Sequence, residues 1–460
     1  MEFRSNIQRR LKSLLQLDSP LAFALATRIW QTVSGPLTIA LLIRSLSLRD
    51  QGVYYGIQGV VGLQAYFELG LLSVLIGHAG HESMAMTNAT PPDESADHNT
   101  EWLAAAARMR DLIHSSFLWF GIGAILYVII ATIFGWRTFS ESDSAWIGPL
   151  TAIIPVAAIS VSLSPALSIL EGAGFRDLIF RARFVQAVCG SVAVWLSLIF
   201  GLGLWTLVVS SGVQAVVALY IRFVKTASFF SQFRKIDAEA SSFSWTRDVL
   251  PVQWRVAVIS MTFHFATQFF VVIVIMFHGD AAAAPLGMTL SLTAAVQMMA
   301  SAWTQSQFSV ISGYHGAGQR ELAGNTWRRT AVISTCILVV GSTALVVAVG
   351  CLPRFHERLQ DHFLTPWQII LLSIGNLSGH LAALQGFYVL ARKAKPLLAA
   401  SLIGSLTTSL AVWLGGYHYS IDGLVGGYAL AMTLVLVPVH TWSYCMFRKH
   451  FENAGTSTKE

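Results

Sequence analysis

The stretch FALATRIWQTVSGPLTIALLIR, from Phe23 to Arg44, is apolar enough to cross a bilayer and carries an arginine, Arg28, in its interior. About 20 mostly apolar residues suffice for one helical crossing, so the segment reads as a transmembrane helix with a charge inside it. The rest of the 460-residue chain agrees. It is 54% hydrophobic and 12% charged, with a mean hydropathy of +0.59, where soluble domains carry roughly 25% charged residues. The composition specifies a polytopic membrane protein with one membrane domain. The opening MEFRSNIQRRLKSLLQL lacks the apolar core and small-residue cleavage site of a signal peptide. Its Phe3, Ile7, Leu11, Leu14 and Leu15 recur at helical spacing beside Arg9, Arg10 and Lys12. That pattern predicts a basic amphipathic helix over residues 1–19, lying on the cytoplasmic face.

Twelve stretches qualify as spans, near 20–43, 52–77, 112–134, 146–169, 184–200, 203–221, 251–277, 285–310, 330–351, 366–390, 397–416 and 421–446. The expected fold class is therefore all-α, a bundle of about 12 transmembrane helices. Lysine and arginine set its orientation, because cytoplasmic loops retain positive charge during insertion. With the N-terminus inside, 24 of the 30 basic residues fall on the cytoplasmic side. Five (Arg44, Arg49, Arg137, Arg354 and Arg358) fall outside, and Arg28 stays within a span. Both termini are expected in the cytoplasm.

The chain also repeats itself. SVLIGHAG (Ser73 to Gly80) closes the second span and SVISGYHG (Ser309 to Gly316) closes the eighth; LEG (Leu170 to Gly172) ends the fourth and LQG (Leu384 to Gly386) the tenth. Both pairs lie at equivalent ends of helices six apart, which points to a duplicated six-helix unit with parallel halves. The expected organisation is a six-helix lobe over 20–221, a cytoplasmic linker over 222–250, a second six-helix lobe over 251–446 and a tail over 447–460. Neither large polar insertion, 81–111 or 222–248, holds a phosphate loop, a dinucleotide fingerprint or metal-ligand spacing. No cofactor and no nucleic-acid partner is expected. The four cysteines, Cys189, Cys336, Cys351 and Cys445, sit in or beside apolar runs without redox or metal spacing and read as small core residues.

Several segments carry a family likeness. They are RIWQTVSGPLTIALLIRSLSLRDQGVYYGIQGVVGLQAYFELGLLSVLIGHAGHE over the first two spans, LEGAGFRD after the fourth, PVQWRVAVISMTF opening the seventh and LQGFYVLARKAKPLLAASLIG across the tenth and eleventh. In these the chain resembles the polysaccharide and O-antigen flippase branch of the multidrug/oligosaccharidyl-lipid/polysaccharide exporter superfamily, the MATE-like fold. The likeness covers most of the chain by topology, with its specific motifs over about a fifth of it. It implies a non-enzymatic carrier in the bacterial inner membrane that flips an undecaprenyl-diphosphate-linked oligosaccharide to the outer leaflet. It also implies polysaccharide-assembly proteins as partners and leaves a coupling ion, H+ or Na+, open.

Such a cargo needs cations for its diphosphate and polar and aromatic faces for its sugars. An ionisable residue within a span marks a site by default. Arg28 lies about 10 Å into the membrane from Leu21, and Glu68 about 14 Å from the cytoplasmic end of the second span. The depths allow the two to pair and clamp two helices, or Arg28 to meet diphosphate while Glu68 tunes it. In the second half Arg255 lies shallow in the seventh span, as an anchor or a phosphate contact. His264 lies deeper, at the offset that maps it onto Arg28, as a core histidine or a titrating group. Arg28, Glu68, Arg255 and His264 are thus the expected substrate-binding residues, with His380 in LSGHLAAL behind them. Trp30, Tyr66, Trp254 and Trp303 are available to stack on sugars; Tyr54 and Tyr55, near the outer surface, read as interface-belt residues. The alternatives are a cation-coupled multidrug exporter of the same superfamily, which favours acidic and aromatic pockets, and an integral-membrane polymerase or acyl transferase, which needs a sizeable outer loop or a polar catalytic cluster.

Overall fold

The computed structural model describes residues 19–68, 70–88, 96–142, 145–234, 236, 243–251, 253–254, 257–258, 267–316, 319–355, 357–391 and 397–456. These are helical throughout, with no strand among the described residues. The main helices are α1 (Ser19–Ser45), α2 (Leu48–Val61), α3 (Leu71–Asn88), α4 (Ala96–Phe139), α5 (Ile147–Gly172), α6 (Arg176–Ile199) and α7 (Thr206–Tyr220). They continue with α8 (Phe270–His278), α9 (Asp280–Gly316), α10 (Arg320–Phe355), α11 (Pro366–Ala391), α12 (Leu398–Ala431) and α13 (Val437–Thr456). Among the described residues, eight helical runs are long and apolar enough to cross a membrane. The protein is an all-α, multi-pass membrane bundle.

Two expected spans differ in detail. The second is not one helix: α2 and α3 are separated by a short helix, Gln64–Glu68, with turns at Gly62 and at Gly70, whose φ of 67° suits glycine. The eleventh and twelfth form one helical run, Leu398–Lys449, that reverses at Tyr419 and Ser420, where Ser420 adopts φ 53° and ψ −138°. The two arms meet backbone to backbone. A Cβ on Gly415 would run into the carbonyl of Gly423, and one on Gly427 would stand 2.6 Å from that of Ala411. Small residues at four-residue spacing on both arms permit that approach, the packing that helices use where no hydrophobic effect drives them together. Ser19 is the first described residue, so the expected amphipathic helix over 1–19 otherwise lies outside the described residues. Most of 251–266 and of 235–242 does too.

The chain forms two compact units. The first comprises Met1–Ser34, Phe67–Ile130 and Thr151–Trp254. Its core gathers Ala166, Leu170, Ile179, Ala182, Ile221 and Phe230. Here the ends of the second and fourth spans touch: a Cβ on Gly172 would strike Ile76, and Ser83 Oγ donates to the Ala173 carbonyl at 3.4 Å. The second unit comprises Gly35–Tyr66, Ala131–Leu150 and Arg255–Glu460. In it the ends of the eighth and tenth spans meet as well, with His315 against Tyr388 at 5.4 Å and Phe308 against Phe387 at 5.8 Å. The two repeated motif pairs are thus each in contact within their own unit.

Unlike a soluble protein, the bundle turns apolar residues outward. Ile125, Ile133, Val332 and Val340 are all more than 60% exposed, as suits a surface that faces acyl chains. Three of the cysteines follow them: Cys189, Cys336 and Cys445 are exposed, and Cys351 is half-buried. That corrects their reading as core residues, since an apolar run fixes depth in the bilayer and not which side of the helix faces protein.

Candidate functional site

The second unit contains a cavity of about 660 Å³, within the ~300–1,000 Å³ of small-ligand sites. Five segments line it: α2 with Tyr55 and Gln58, the start of α8 with Phe270, α9 with Ser291 and Gln297, α11 with Asn376 and His380, and α12 with Tyr428. Among the described residues, its walls hold carboxamides, hydroxyls and an imidazole with aromatic rings between them, and no carboxylate, ammonium or guanidinium.

Glycines set the aromatic wall. Gly287 on α9 leaves room for the Tyr55 ring, which a Cβ there would overlap. Gly375 on α11 does the same for Tyr428. So seated, Tyr428 donates its hydroxyl proton to Asn376 Oδ1 at 2.9 Å and meets Phe270 edge-on with centroids 5.1 Å apart. Tyr55 meets Tyr54 edge-on at 5.3 Å.

A directed hydrogen-bond chain forms the polar wall. Ser334 Oγ donates to the Ala331 carbonyl at 3.2 Å, which leaves its oxygen to accept from His380 Nε2 at 3.1 Å. His380 Nδ1 then accepts from Gln297 Nε2 at 3.4 Å. This assignment makes the imidazole neutral, with its proton on Nε2. Gln297 Oε1 ends the chain as a buried acceptor without a hydrogen-bond partner, a costly state for a buried oxygen.

The residues expected from the sequence are placed as follows. Arg28 is exposed on α1, and its Nη1 donates to Gln31 Oε1 at 3.4 Å. Glu68, half-buried at the end of the short helix Gln64–Glu68, accepts from Ser164 Oγ at 3.3 Å. Both belong to the first unit, but Glu68 is bound by the serine and not by Arg28. Arg255 and His264 lie outside the described residues. Tyr54 and Tyr55 are 4% and 6% exposed, so they are packed residues, and Tyr55 is a cavity residue, in place of the expected interface belt. Trp30 donates to Ser191 Oγ at 3.3 Å and lies 5.9 Å from Trp195, while Trp254 and Trp303 are exposed. The carboxamides Gln58, Gln268, Gln297 and Asn376 are not among the expected residues. Their only sequence signal is a polar amide inside an apolar run.

No family model and no curated protein matches the chain. Solved structures do. An inward-facing multidrug resistance MATE family transporter of the MOP superfamily superposes with a TM-score of 0.59 at 16% identity, over 91% of this chain and 98% of that one. The lipid II flippase MurJ in an inward closed conformation gives 0.61 at 11% identity, over 92% and 87%. A mutant of the Vibrio cholerae MATE transporter VcmN gives 0.57 at 13% identity, over 95% and 98%. Across nearly its whole length, the chain has the fold shared by MATE transporters and MurJ.

Proposed function

We propose that the protein is a transporter that flips an undecaprenyl-diphosphate-linked oligosaccharide from the inner to the outer leaflet of the bacterial inner membrane. Alternating access between two six-helix lobes, 20–221 and 251–446, accounts for the movement, with both termini in the cytoplasm. The observation that carries this reading is a cavity with no charged side chain among its described lining residues. Sugars present hydroxyl donors and acceptors around apolar C–H faces, and a wall of carboxamides, hydroxyls and aromatic rings complements both. An exporter of organic cations would instead gain from a carboxylate, and none lines the cavity among the described residues.

The diphosphate needs a separate cationic contact. Arg28 supplies it in this reading, as an exposed cation within the first span, while Glu68 is engaged by Ser164. Glu68 then tunes the site, while Arg255 and His264 act in the second half. A coupling ion and polysaccharide-assembly proteins complete the proposed set of partners.

The direct test is flipping of defined undecaprenyl-diphosphate glycans in liposomes holding the purified protein. Movement of the glycan lipid that depends on the protein supports the reading. In cells, deletion should trap the intermediate on the inner leaflet and remove surface polysaccharide. Drug sensitivity alone, with no trapped intermediate, would favour the multidrug alternative.

A further inference from the structure

At the polar end of α7 the helix passes into a π turn, Ile221–Lys225, which packs in the first unit beside the short helix Ala227–Phe233. Arg222 sits there in an aromatic cage. Its guanidinium carbon lies 4.0 Å from the ring centre of Phe230, 5.1 Å from Phe223 and 5.3 Å from Phe117. Nε is sealed among the rings without a hydrogen-bond partner. Stacking on rings offsets part of the cost of desolvating a guanidinium, but it does not satisfy the N–H groups. A second cation, Arg234, is exposed at the end of the same short helix, four residues beyond the Phe230 ring that Arg222 stacks on. No carboxylate forms an ion pair with either arginine among the described residues. Two guanidinium groups at one end of the span, neither of them ion-paired to a described carboxylate, favour an anion.

The surface leading to them identifies the kind of anion. Val216 is 63% exposed, Tyr220 47%, Phe223 60% and Val224 63%, so an outward apolar strip climbs the last turns of the span and ends at the cations. A soluble anion has no use for that strip, whereas acyl chains do. We propose that this end of the sixth span binds a membrane lipid with an anionic phosphate headgroup, Arg222 and Arg234 holding the phosphate and the strip receiving the acyl chains. The planar guanidinium fork matches phosphate oxygens better than an ammonium does.

The experiment titrates the purified full-length protein in detergent with phosphatidylglycerol and with phosphatidylcholine of the same acyl chains, counting retained lipid by native mass spectrometry. The wild-type protein should prefer phosphatidylglycerol, and each of Arg222→Gln and Arg234→Gln should cut that preference by about fivefold, the effect of one cation near an anionic lipid surface. Arg222→Lys should fall between wild type and Arg222→Gln. Thermal melts in the same detergent establish folding, and if Arg222→Gln unfolds, the exposed Arg234→Gln decides. Equal retention of the two lipids by the wild type would overturn the proposal, as would a preference unchanged in the folded glutamine variants. Complete displacement of phosphatidylglycerol by millimolar inorganic phosphate would show a site for soluble phosphate, and would overturn it too.

Discussion

Glu82 Oε2 receives both Nε and Nη2 of Arg108, each at 2.9 Å, with Glu82 only 9% exposed and His81 Nδ1 3.4 Å from its other oxygen. The pair ties α3 to α4 within the first unit. Arg108→Gln or Glu82→Gln alone should each lower stability by about 1.5–3 kcal/mol, the worth of hydrogen bonds to a charged group. The double variant should recover much of the loss, because neither charge is then stranded. Thermal unfolding of the four proteins forms a double-mutant cycle. A double variant as unstable as the sum of the two singles would show that the contact contributes nothing.

Arg28→Gln should fold as the wild type does, since the side chain is exposed, yet flip lipid at least roughly tenfold more slowly if it contacts diphosphate. Arg28→Lys should keep part of the rate through its charge. Glu68→Gln should be tolerated in folding, because an amide oxygen still accepts from Ser164. Liposome flipping assayed beside the yield of folded protein separates these effects. A normal rate for Arg28→Gln would remove the diphosphate role.

In the cavity, Gln297→Leu and Asn376→Leu should each slow flipping of a neutral glycan by roughly tenfold, the value of one good hydrogen bond. Gly375→Ala should act indirectly, because its Cβ would displace the Tyr428 ring. Overpacking of this kind costs about 1–3 kcal/mol. A lower melting temperature for Gly375→Ala, without one for Gln297→Leu, would distinguish displacement from lost recognition.

His362 lies between the ninth and tenth spans, and burial pushes its pKa below the ordinary histidine value against an opposing effect of Asp361. Gln51 Nε2 donates to the Leu46 carbonyl at 2.9 Å, so its Oε1 is left to accept from His362 Nδ1 at 2.8 Å. The folded state therefore binds a proton on His362 less readily than the unfolded chain. That contribution to stability is complete above about pH 6.5 and is lost as the pH falls through the folded pKa. Melting temperatures from pH 8 to 5 should drop more for the wild type than for His362→Asn. Parallel curves would show that another group controls the acid limb.

Accessible tags at Ser95, Glu239 and Lys459 should react only from the cytoplasm, and tags at Ser142 and Gly279 only from outside. The last two share an end of the second unit, where Ser142 Oγ donates to Asp280 Oδ2 at 2.5 Å. Labelling of Ser142 and Gly279 from opposite faces would contradict that contact, and labelling of both from the cytoplasm would invert the orientation.

Hydropathy and charge made the helices legible, because crossing a bilayer demands apolar length whatever a residue touches. They carried no information about azimuth. Tyr54 and Tyr55 read as an interface belt because their depth fits one, but both are buried, and Tyr55 packs against Gly287, more than 200 residues later in the chain. The cysteines failed in the opposite sense, since lipid accepts what a core would. Glu82 and Arg108 stood in a polar insertion where a tertiary ion pair leaves no periodic trace. The amides of the cavity are spread over several spans, and only folding brings them together. The arginine and glutamate of the first two spans were visible as charges out of place, but their partners, Gln31 and Ser164, were not.

The glycine and alanine seam between the two arms of Leu398–Lys449 bears on how the protein is made. Bare backbone faces bare backbone at Gly415 and Gly423, so neither arm has interlocking side chains there that must be withdrawn before the two can close. The two arms can therefore close on each other as a hairpin through their own backbone contacts, before either packs against the rest of the bundle. The pair then joins the bundle as one preassembled piece.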